Sequence, residues 1–173
     1  MIQLSNLIKE QDITPRKKSS NIVIFVGGLD STVSPDFKSL NEQTAILKSG
    51  MPSKTIISFS YVTPTDCIPT IEQNPNASVI LFSAACKASA TIARAMLDKT
   101  KLYILEPYAV SSKTSTSVAS AVSRGVPAKN VLVGSSQGRG KDIVPGATKT
   151  PDNGRTTMER HWNSLVFIGS FIK

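Results

Sequence analysis

One histidine and two cysteines in 173 residues leave little material for a Cys/His metal site, and Cys67 and Cys86 are too few for a disulfide framework. Metal chemistry would have to rest on carboxylates, and no cofactor is expected. Aromatic residues make up only 6% of the chain, and they do not form the paired pattern of an RNA-reading sheet. Long apolar runs are missing as well. Stretches such as Ile22–Val26 and Val79–Phe82 have strand length, so no transmembrane segment is expected. The N-terminal MIQLSNLIKEQDI alternates apolar with polar residues and ends on the acidic pair Glu10 and Asp12, which argues against a signal peptide. A soluble protein of a reducing compartment is the expectation.

The chain does have positive charge. Its net charge is +8, with +2 in residues 1–20, +1 in residues 21–123 and +5 in residues 124–173. The excess therefore sits at the two ends, and neither zinc-finger spacing nor a helix with a continuous basic face accompanies it. That distribution suits a basic rim facing an acidic protein surface better than it suits nucleic acid. Residues 1–20, with the Pro15-Arg16-Lys17-Lys18-Ser19-Ser20 stretch, read as an arm and linker; residues 21–173 read as one domain.

From Asn21 onward the chain alternates strands with helix-length segments. NIVIFV (21–26) is a continuous β-branched run, as expected of a strand buried on both faces. Ser34-Pro35-Asp36 predicts a helix start, with Phe37, Leu40 and Leu47 as its apolar stripe and Gly50 as its stop. TIISFSY (55–61) is a second strand; Thr65–Gln73, interrupted by Pro69, is a broken or very short helix. SVILFS (78–83) is a third strand and runs into the alanine-rich Ala84–Leu97, predicted as a helix. Leu102–Leu105, a helix over Thr114–Ser123, and Asn130–Gly134 continue the alternation; Ser135–Arg155 reads as a long loop and Met158–Ile172 as the last element. The fold class that follows is α/β, a three-layer sandwich around a mostly parallel central sheet.

In such sheets chemistry collects at the carboxyl ends of the strands. After the first strand come Gly27-Gly28-Leu29, able to turn sharply and offer N–H groups to an anion. After the third comes Ser83-Ala84-Ala85-Cys86, where a hydroxyl or thiol would stand at a helix N-terminus. Further on come Asp142 and, about twenty residues later, the lone His161, expected on a loop near the carboxyl edge of the sheet. Glu106, at the end of the fourth strand, is a second-choice acid, and Asp152 competes with Asp142 for the same role. Nucleophile, acid and histidine in that chain order are the order of one hydrolase architecture.

On these residues the chain resembles the α/β-hydrolase superfamily over roughly residues 21–173, in a minimal form without a lid. IVIFVGGLDS is similar to the first core strand and oxyanion loop, VILFSAACKASATIARAML to the nucleophile strand, elbow and helix, and DIVP to the segment carrying the acid. The resemblance implies Ser83 as nucleophile, His161 as base, Asp142 as acid, and N–H groups of Gly28, Leu29 and Ala84 as oxyanion donors. The elbow departs from G-x-S-x-G, because Leu81 and Ala85 flank Ser83. Two other alignments stay open: Cys86 as nucleophile, between Ala84 and Ala88, or Ala84 in the nucleophile slot, which would leave the site without chemistry. The literal match Gly134-Ser135-Ser136-Gln137-Gly138 lacks a following helix and reads as a chance occurrence among 23 serines.

Two functions follow as expectations. One is a serine hydrolase for a small or surface-presented acyl ester. The other is an inactive hydrolase-like scaffold that binds an assembly partner with an acidic surface.

Overall fold

In the computed structural model, residues 20–107, 112–134 and 144–172 are described. Within them the strands β1 (Ile22–Val26), β2 (Thr55–Phe59), β3 (Ser78–Phe82), β4 (Leu102–Leu105), β5 (Val131–Val133) and β6 (Thr148–Lys149) form one sheet in the order β2-β1-β3-β4-β5-β6. Every pairing is parallel. Parallel neighbours need crossovers, and from β1 to β5 the intervening segments supply them as helices on both faces, giving the expected three-layer α/β architecture.

The period-2 alternation of strand side chains divides the core. Val23, Phe25, Ile80, Phe82, Leu105 and Leu132 face one layer, where Leu47 of α1 (Leu40–Gly50) meets Trp162 and Leu165 of α5 (Thr157–Phe167). Ile24, Val26, Val79, Leu81, Ile104 and Val131 face the other, packed on α2 (Ile68–Gln73), α3 (Ser89–Ala95) and α4 (Ser112–Ser123) through Ile71, Ile92 and Val118. β3 is buried at every position, as its unbroken apolar sequence requires.

Several local expectations are corrected. Helix α1 starts at Leu40 rather than near Ser34, because Ser39 and Glu42 form a reciprocal capping box there. The backbone N–H and hydroxyl of Ser39 hold the Glu42 carboxyl below its usual range. The alanine-rich segment is not one long helix: Ser83–Ala88 is a 3-10 turn, and α3 ends at Ala95. The stretch read as a loop, Ser135–Arg155, contains β6, which is two residues long and too short for sequence periodicity to reveal. His161 lies in helix α5, not on a loop, because a capping box of Thr156 and Glu159 starts the helix upstream of it. Of the proposed arm, residues 1–19 lie outside the described residues.

Candidate functional site

The strand order reverses between β1 and β3: the chain passes from β1 outward to β2, then crosses back over β1 to β3 and continues to β4. In open parallel sheets ligands bind at such a switch point, beyond the carboxyl ends of the two strands. Gly28 follows β1, Ser83 follows β3, and Glu106 follows β4. Register aligns them, since Val26 pairs with Leu81 and Phe82 with Leu105. The two loops meet: a Cβ built on Gly28 would stand 2.7 Å from Ser83 Cβ and 3.3 Å from its Oγ. Only a glycine allows this approach.

Among the described residues, two that are not glycine have left-handed backbones, Ser83 at φ 53° and Glu106 at φ 50°. For such residues this conformation costs on the order of 1–3 kcal/mol, and it concentrates where a site demands it. Here both stand at the first position after neighbouring parallel strands. Ser83 is buried and is the first residue of the 3-10 turn, and its hydroxyl makes no hydrogen bond among the described residues. The serine is therefore not spent on capping. The left-handed residue is Ser83 and not Ala84, which follows within the turn.

Glu106 is 1% exposed. Its N–H donates to Leu132 O at 2.7 Å, and its Oε1 accepts a hydrogen bond from the Thr150 hydroxyl at 2.8 Å. Thr150 is itself anchored by its N–H to Val133 O at 3.0 Å, just beyond β6. A Cβ on Gly134 would collide with the Glu106 carboxyl group, coming within 2.6 Å of its Cδ. The free oxygen, Oε2, lies 3.7 Å from His161 Nδ1. Both atoms are buried and without a hydrogen-bond partner among the described residues. The gap exceeds a hydrogen bond by a few tenths of an ångström. His161 is 8% exposed; its ring stacks on Phe82, the residue before Ser83, at 4.6 Å between centroids, and meets Trp162 edge-on at 5.3 Å.

The other expected residues fall as follows. Asp142 lies outside the described residues, as do Ser135–Gly138 of the literal G-x-S-x-G. Asp152 is exposed and ion-paired with Arg160 at 2.6 Å. The Gly28 N–H does not stand ready for an anion: it donates to Gln43 Oε1 at 2.9 Å. The N–H groups of Leu29 and Ala84 have no such partner among the described residues. Cys86 is fully buried, its thiol donating to Leu81 O at 3.4 Å and Leu105 O at 3.6 Å; burial first, and then the nearby Glu106 carboxylate, push the thiol far above its ordinary range. It fastens the 3-10 turn to the end of β4, where a thiolate is disfavoured. Gly134 entered the sequence reading only as a strand end and the first glycine of the literal G-x-S-x-G, and two residues escaped it: Thr150, which gave no signal, and Gln43. The last gave one, a polar residue on the apolar stripe of α1 between Leu40 and Leu47.

Burial disfavours the nucleophilic thiolate at both free cysteines. Cys67 is pushed up to about 11 by burial, so little of it is thiolate at pH 8. A disulfide reagent at that pH is expected to modify neither thiol of the native protein and both in denaturant. Rapid reaction of one native thiol would contradict this.

Among the described residues, no three His, Cys, Asp or Glu side chains cluster as a metal site would require, and no helix is long and apolar enough to cross a membrane. No family model, curated protein or solved structure matches the chain.

Proposed function

We propose that the protein is a serine hydrolase of the α/β-hydrolase kind that acts on a small or surface-presented acyl ester, with Glu106 rather than Asp142 as its acid. Ser83 attacks the acyl carbonyl, and His161 takes the hydroxyl proton and then delivers it to the leaving alcohol. Glu106, facing Nδ1, orients the imidazole and stabilises its charged form. Backbone N–H groups of the β1–α1 loop and of Ala84 receive the oxyanion. Water then attacks the acyl-enzyme with His161 as base, releasing the acid and restoring Ser83.

The observation that carries this reading is the pair of left-handed residues, Ser83 and Glu106, at adjacent strand ends, with the Glu106 carboxylate facing the one histidine. Their chain order, serine, carboxylate, histidine, agrees with it. One observation favours the scaffold reading instead: Leu81, fully buried in the core, occupies the position where an elbow ordinarily has a small residue. In that case the chain would use its basic ends to dock on an acidic protein surface.

A fluorophosphonate probe separates the two. It is expected to label the wild-type protein once, at Ser83, and to fail with Ser83→Ala. Labelling that persists in Ser83→Ala overturns the nucleophile; a wild-type protein that takes no label selects the scaffold.

A further inference from the structure

The amide of Gln43 lies in the first turns of α1, has no exposed surface and spends both its donors on one loop. Its Nε2 donates to Leu29 O at 3.0 Å and to Lys38 O at 2.9 Å, while its Oε1 accepts from Gly28 N–H at 2.9 Å. The connection from β1 to α1 is thus clamped at both ends by a single side chain. A buried amide with both donors satisfied is costly to replace.

The clamp decides which N–H groups can reach a substrate. Gly28 N–H is consumed. Leu29, whose carbonyl is held by the same amide, keeps a free N–H among the described residues and is less buried than Gly28. We infer that Gln43 is a positioning residue that withdraws Gly28 N–H from the site and fixes Leu29 N–H, together with Ala84 N–H, as the two donors to the oxyanion of an ester substrate. This rests on the proposed hydrolase reading. Gln43 touches no reacting atom; it acts through the loop.

Two measurements test it. In wild-type protein, amide exchange by NMR is expected to be slow at Gly28 and fast at Leu29, and benzeneboronic acid, which places an oxyanion on the serine, is expected to shift the Leu29 and Ala84 amide signals. The second measurement uses Gln43→Met, similar in size but without the amide. Its Gly28 amide is expected to exchange at least tenfold faster while the amides of Val23–Val26 do not change. With 4-nitrophenyl acetate its kcat is expected to fall about 10²-fold, the loss typical of one oxyanion donor, with KM within twofold. A change in KM alone, unchanged kcat, or slow Gly28 exchange in the variant overturns the role of Gln43. Should Gln43→Met fail to fold, the wild-type measurement still decides, because fast Gly28 exchange or a boronate shift at Gly28 in place of Leu29 refutes the assignment. A wild-type protein that neither hydrolyses the ester nor binds the boronate overturns the hydrolase reading and the oxyanion assignment with it, while Gly28 exchange still reports on the clamp.

Discussion

Glu106→Gln is expected to lower ester turnover by about 10³–10⁴-fold, comparable to the loss when the acid of a serine triad becomes its amide, and to leave the melting temperature unchanged or higher. The amide keeps the shape of the carboxylate and can still take the Thr150 hydroxyl, so the slot formed with Gly134 stays filled. What disappears is the negative charge facing His161 Nδ1. Without it the imidazolium formed during acyl transfer is unsupported, and the ring loses the acceptor that selects its tautomer. Stability should not suffer, because a buried carboxylate is exchanged for a neutral group. A purely structural role for Glu106 would show the reverse pattern, with melting temperature falling and turnover kept. Asp142→Asn, measured in parallel, distinguishes the two carboxylates. Loss of turnover in that variant with turnover kept in Glu106→Gln would return the acid to Asp142.

The layered α/β fold was legible because continuous β-branched runs such as NIVIFV and SVILFS are compatible with little except strands covered on both faces. The placement of the candidate site at the strand ends rests on it, since the strand ends are fixed once the strands are. The partners of each site residue were not legible. Glu106 looks like any charge ending a strand; only its left-handed backbone and the pairing of Leu105 with Phe82 bring it beside the residue after Phe82. Thr150 and Gly134 matter through β6, and a strand of two residues has no periodicity to read. Helix boundaries were misplaced where local chemistry outweighed pattern: Ser39 with Glu42 took over the start of α1 from the Ser34-Pro35-Asp36 signal. His161 belongs to a helix and not to the expected loop, because Thr156 and Glu159 form a cap whose spacing is present in the sequence.

Gly28→Ala is expected to cost about 1–3 kcal/mol of stability, as overpacking of a close contact does, and to reduce ester turnover by about 10²-fold, the scale of a nucleophile displaced by roughly an ångström. The new methyl would stand 2.7 Å from Ser83 Cβ and 3.2 Å from Phe82 Cδ1. Neither neighbour can yield easily. Ser83 Cβ is attached directly to a backbone already held at φ 53°, and the Phe82 ring is buried between the core and His161. The loop cannot retreat freely either, because Gln43 holds Gly28 and Leu29. A double-mutant cycle isolates the contact: in a Ser83→Gly background the opposing Cβ is absent, so most of the stability cost of Gly28→Ala should vanish, a coupling of about 1–2 kcal/mol between neighbours. If chemical denaturation gives the same cost in both backgrounds, the clash is not with Ser83, and the close approach of the β1–α1 loop to the serine is wrong.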